Sequence, residues 1–185
     1  MKDNAFTGPL WRGFTLVETL VVLALTMLVI MMAAPSFVVW QVRDQVDAEA
    51  RKFIAALAFA RAEAVHRGLP VTLCRTDSAQ HCLAVGQVCG GAHDWSCGWA
   101  VVVRLAGLTH VLRAQSGESR VRVSGMLADL TFTPPAGQLI GRFRSFDFAP
   151  RFGIEATRGE RFRRCIRIAA GGRARIAEGR CGAEQ

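Results

Sequence analysis

From Thr19 to Val42 the chain carries no charged side chain, an uninterrupted run of 24 residues. A helix needs about 20 apolar residues to cross a bilayer, so the run predicts a membrane-spanning helix close to the N-terminus. A single carboxylate, Glu18, stands at the head of the run. A charge there is costly in lipid and marks a function. The thirteen residues ahead of Phe14 hold Lys2, Asp3 and Arg12 but no apolar stretch of their own, unlike an ordinary secretory signal. Lys2 and Arg12 favour a cytoplasmic N-terminus.

Beyond the run the pattern becomes amphipathic. Val42, Val46, Ala50, Phe53, Leu57, Ala60 and Ala64 recur at helical steps of three and four, which predicts one face laid on a soluble domain. Arg43, Asp44, Asp47, Lys52, Arg61 and Glu63 fall off that stripe. Pro35 is expected to kink or loosen the helix, and Gly68 with Pro70 to end it. A helix from Phe14 to about Arg67 would be roughly 80 Å long, a rod that suits a filament subunit better than a compact soluble domain. After Pro70 the pattern turns to short strands separated by Gly, Pro, Ser and Asp. Strands are expected at Val71–Arg75, Trp99–Leu105, Thr109–Gln115, Val121–Ser124, Leu130–Thr133, Phe143–Phe148, Phe162–Ile168 and Ala174–Ala177. The stretch 76–98 is rich in glycine and holds Cys82, Cys89 and Cys97. It reads as a loop held by disulfides rather than by core. The fold class is α+β. The expected segments are a leader over 1–13, a transmembrane helix over 14–40, an amphipathic helix over 41–67 and an extracytoplasmic β domain over 68–185.

The residues Gly13-Phe14-Thr15-Leu16-Val17-Glu18 followed by an apolar helix resemble the class III signal of type IV pilins and type II secretion pseudopilins. The resemblance implies cleavage after Gly13 by a prepilin peptidase, N-methylation of Phe14, and retention in the inner membrane with the β domain in the periplasm. It also implies a pairing of Glu18 with the new amine of Phe14 on a neighbouring pilin. A purely local reading stands beside it: an acid in the first turn is favoured by the helix dipole. Further along, Ala60-Arg61-Ala62-Glu63-Ala64, Val71-Thr72-Leu73-Cys74, Gly98-Trp99 and Gly172-Arg173-Ala174-Arg175 are similar to the GspH/FimT branch of minor pilins. That branch implies a pilin-like fold, with the long helix packed on two small antiparallel sheets.

The charge of +8 is unevenly spread. From Arg142 to the end, 11 arginines stand against 5 acids, with no lysine. Such asymmetry points to an anionic partner, although a solvated basic face has the same composition. Within this quarter, residues 165–177 read as two strands around a glycine turn. With Ala170-Gly171-Gly172 as the loop, Arg167 faces Arg175. Arg173 and Arg175 then share one face, while Ile166, Ile168, Ala174 and Ile176 share the other. Burial selects this register over a one-residue slip. Arg163 extends the basic face by parity. Like charges across a ladder repel, and a bound phosphate would relieve them. No aromatic is interleaved over 169–177, so phosphate contact without base readout is expected. A charged guard on an exposed edge strand has the same look. The Gly172-Arg173-Ala174-Arg175 element is similar to the one that FimT-type pilins use to bind DNA in natural transformation, which implies DNA contacts at Gly172, Arg173 and Arg175, and the shared face adds Arg163 and Arg167 to the expected site. Arg158, Arg161, Arg163 and Arg164 form a second, less specific basic run.

Six cysteines in a small extracytoplasmic domain predict disulfides. Cys165 and Cys181 flank the arginine hairpin and are paired first, a bridge that adds about 2–4 kcal/mol. Cys74 with Cys82 and Cys89 with Cys97 follow. Zinc competes for these cysteines because His81 and His93 lie among them, but no Cys-x-x-Cys spacing is present. His66 and His110 belong to no recognisable constellation. Nucleophile elbow, phosphate loop and metal-helix motifs are all missing, so neither an enzyme nor a cofactor is expected. The expected function is a FimT-like minor type IV pilin that binds DNA. The alternative is a GspH-type pseudopilin of type II secretion, and a third reading is an unrelated domain on a signal anchor.

Overall fold

The computed structural model describes residues 14–84, 87, 89, 93–118, 120–139, 144–152 and 155–182. The leader with Gly13, and Phe143 at the start of one expected strand, lie outside the described residues. The chain divides into two compact units, Met1–Val38 and Val39–Gln185. One helix, α1 (Leu16–Arg67), contributes to both and is continuous through position 35.

In the first unit, Leu16–Ala34 is apolar with a mean hydropathy of 2.5, and none of it is buried. Its start is capped locally. The Thr15 hydroxyl accepts the Glu18 backbone N–H at 3.2 Å, half of a Thr-x-x-Glu capping box. Glu18 thus occupies the third helical position, where the dipole favours an acid.

In the second unit the amphipathic stripe is the inner face of α1. Val46, Ala50, Phe53, Leu57, Ala60 and Ala64 are buried, and Val42 is half-buried at its margin. The alanines let strands approach the helix closely, and Phe53 fills the space between them. Its ring lies 5.1 Å from Trp99, 5.7 Å from Trp95, 4.7 Å from Phe146 and 5.6 Å from Phe148. The helix ends where Gly68 takes φ +64°, the left-handed conformation that glycine adopts without strain.

The strands form two antiparallel sheets, as expected. The first contains β1 (Val71–Arg75), β2 (Gly98–Leu105), β3 (Leu108–Ser116), β5 (Asp129–Thr133) and β6 (Gln138–Leu139), in the order β3-β2-β1-β5-β6. The second contains β4 (Val121–Gly125), β7 (Arg144–Pro150), β8 (Arg164–Ile168) and β9 (Ala174–Glu178), in the order β4-β7-β8-β9. Trp99, Val101 and Val103 of the first sheet and Phe146, Phe148, Ile166 and Ile168 of the second join the helix stripe in one core. All six cysteines are paired, as Cys74–Cys82, Cys89–Cys97 and Cys165–Cys181.

Two expectations need correction. The strand expected from Phe162 begins at Arg164, because Glu160–Phe162 forms a 3-10 turn that turns Phe162 into the core. The stretch 76–98 is not held by disulfides alone. Trp95 is wholly buried within it, packs edge-on to Phe146 at 5.1 Å, and donates its indole N–H to the Leu127 carbonyl at 2.8 Å. The Trp95 and Val123 backbones and the Ser96 hydroxyl stitch this stretch to β4.

Candidate anion-binding cradle on the second sheet

The β8–β9 hairpin adopts the register that burial selects. Arg167 lies opposite Arg175 and Ile166 opposite Ile176. Ile166 and Ile168 are buried, whereas Ile176 on the edge strand stays 43% exposed. The loop Ala170-Gly171-Gly172 closes with the Gly172 N–H donating to the Ala169 carbonyl at 2.8 Å and the Ala169 N–H to the Arg173 carbonyl at 3.0 Å. Gly172 has φ +76°, and a Cβ there would meet the Gly137 carbonyl oxygen at 2.7 Å. Only glycine satisfies both demands. The Leu139 N–H donates to the Ala170 carbonyl at 3.1 Å, tying the hairpin tip to β6 of the other sheet.

Across the second sheet, Ser145, Arg167 and Arg175 fall in one row. With Arg144, Ala169, Arg173, Cys181 and Gly182 they line an open cavity of about 690 Å³. Four arginines and no acid are among these lining residues. Directly opposed residues lie about 5 Å apart at Cα, so Arg167 and Arg175 repel unless an anion sits between them. The Cys165–Cys181 bridge holds the chain end against the cradle. There the Cys181 N–H donates to Asp147 at 3.2 Å and the Arg180 N–H to Glu160 at 2.6 Å.

The structure brings together Arg167, Arg173 and Arg175, with Gly172 positioning them, and it adds Arg144, which the sequence reading did not single out. Arg163 stands apart. Its guanidinium donates to Asp147 at 2.7 Å and its side chain is 23% exposed, so most of its charge is met within the fold. Arg164 of the second basic run is consumed too: it is buried and paired with Asp47 of α1. Phe14 and Glu18 of the first unit are both exposed. The local signal for Arg144 was only its place in the arginine-rich quarter, since its parity with the buried Phe146 and Phe148 argues for the other face of the strand. Nothing local, however, indicated that its strand would lie beside Arg167.

The family model described as type II transport protein GspH matches residues 49–172. The match ends at Gly172, ahead of Arg173 and Arg175. No curated protein matches the chain. Two crystal structures of the Pseudomonas aeruginosa type IV minor pilin FimU are similar to it. Each is 21% identical, with TM-scores of 0.52 and 0.54, covering 71% and 73% of this chain and 91% and 90% of FimU. The minor pseudopilin EpsH of the Vibrio cholerae type 2 secretion system is 10% identical, with a TM-score of 0.50 over 72% of this chain and 97% of EpsH. These likenesses agree with the architecture of one long helix and two antiparallel sheets. By that architecture and by a match over most of its length, this chain belongs to the GspH family of minor pilins and pseudopilins.

Proposed function

We propose that this pilin binds DNA through the phosphate backbone, using the Arg167, Arg173 and Arg175 side chains of the cradle, with Arg144 at its margin, as part of DNA capture by a type IV pilus in natural transformation. The observation that carries the reading is a concave basic site with no carboxylate among its described lining residues, built around an opposed arginine pair. Guanidinium forks suit phosphate oxygens, and the described lining residues offer no aromatic ring for base stacking. Binding is therefore indifferent to sequence and steeply weakened by salt. The test is fluorescence anisotropy of the full chain in detergent with labelled duplexes of unrelated sequence. Equal binding of all duplexes at low salt, lost as salt rises, is expected; no binding at low salt removes the reading.

The first unit supplies the anchor and the assembly rod. In this reading the prepilin peptidase cuts after Gly13, Phe14 becomes the methylated N-terminus in the inner membrane, and the domain from Val39 onward faces the periplasm. The amine of Phe14 meets Glu18 of a neighbouring subunit when the helices stack, since an acid within lipid needs a counter-charge. Mass spectrometry of the mature N-terminus checks the cut, and a cleavage site elsewhere would refute it.

A second reading, a pseudopilin of type II secretion, is favoured by the description of the matching family model and by the likeness to EpsH. It predicts that loss of the chain blocks protein secretion and leaves DNA uptake intact.

A further inference from the structure

β7 carries a second basic hollow at its far end. The strand's outer face runs from Ser145 in the cradle through Asp147 to Ala149, four residues or about 13 Å. Around Ala149 and Pro150, a cavity of about 380 Å³ is lined by Arg151, Phe152, Arg158 and Arg163 among others. Arg163 is neutralised by Asp147. Arg151 and Arg158 form no ion pair among the described residues. Arg122, exposed on β4, lies opposite Ala149 on the same face. Phe152 is 74% exposed and belongs to neither core cluster. Most of the ring is therefore open to solvent, and it shares the hollow with two guanidinium groups that form no ion pair among the described residues.

Among the described residues the cradle holds charge without a ring; this hollow holds a ring with charge. Proteins that bind single strands combine the two, a basic groove that follows the backbone and aromatic faces that stack bases. A duplex keeps its bases stacked inside and offers Phe152 only backbone. We propose that Phe152 stacks one unpaired base while Arg151 and Arg158 hold the neighbouring phosphates, so that a single strand lying along β7 from cradle to hollow is bound in preference to duplex. This inference rests on the DNA reading of the cradle.

The test uses the full chain in detergent and three labelled probes of equal length: oligo-dT, the same backbone without bases, and a duplex. The wild type is expected to bind oligo-dT roughly 5-fold or more tighter than the abasic strand and tighter than the duplex; tighter binding of the duplex would overturn the preference. Phe152→Ala should remove that margin and leave abasic and duplex binding unchanged, and Phe152→Trp should retain it. Arg173→Ala with Arg175→Ala should weaken all three probes together. If the wild type shows no margin, if the margin survives Phe152→Ala, or if that variant weakens all three probes alike, the inference is overturned and the cradle stands. If no probe binds the wild type, both readings are overturned.

Discussion

Replacing Arg173 and Arg175 together by alanine tests the cradle through the number of phosphates it neutralises. Arg167, Arg173 and Arg175 line the cavity and form no ion pair among the described residues. Three neutralised phosphates give a slope of log affinity against log salt of about −2.7 on duplex, hence about a 40-fold loss between 50 and 200 mM salt. The double variant retains Arg167 alone, so its slope should fall to about −0.9 and the loss to about 3.5-fold. Stability should move the other way. Both side chains are exposed, and removing Arg175 relieves its repulsion with Arg167, a gain of up to about 1 kcal/mol in a water-like dielectric. The thermal midpoint should therefore stay level or rise by up to about 3 °C for a domain of this size. Weaker binding without lost stability identifies a site that the fold itself does not need. Arg173→Lys with Arg175→Lys keeps the charge and hence the slope, but loses the bidentate fork and with it affinity. Anisotropy titrations at four salt concentrations measure the slope. A double alanine variant with the wild-type slope would refute the cradle as the phosphate contact.

Gly172→Ala should destabilise the chain by about 1–3 kcal/mol, because of its positive φ and the close Gly137 carbonyl; urea unfolding measures it, and a change below about 0.5 kcal/mol would contradict the loop geometry. Phe53→Ala should cost about 3–5 kcal/mol, since the ring joins both sheets to the helix; a cost near that of a surface substitution would mean that the core is elsewhere. Glu18→Ala should insert into membranes normally yet be missing from sheared filaments on immunoblotting. Wild-type incorporation of that variant would end the proposed pairing with the Phe14 amine.

Much of the fold was legible because its signals are local. The stripe from Val46 to Ala64 follows from a period of 3.6, and the helix stop from Gly68. The three disulfides join cysteines only 8, 8 and 16 positions apart, so proximity in sequence already suggested the pairs. The hairpin register followed from keeping Ile166 and Ile168 inside. The misreadings were of another kind. Phe162 alternates as a strand residue would, yet its ring is needed in the core and a 3-10 turn places it there. The stretch 76–98 has no periodicity, so nothing local showed that Trp95 would anchor it to the core against Phe53 and Phe146.

Local residue patterns were enough to specify an apolar rod, a disulfide-bonded β domain after it, and a basic hairpin within that domain. Spacing, turn chemistry and charge are properties of neighbouring residues, and they survive without a fold. Which arginines remain available was decided only in three dimensions. Arg164 is claimed by Asp47, 117 positions away, and Arg163 by Asp147, while Arg167 and Arg175 are set opposite each other by strand pairing. Packing selects those partners, because a buried or half-buried guanidinium must find a carboxylate wherever the folded chain brings one. The arginines left over make the site.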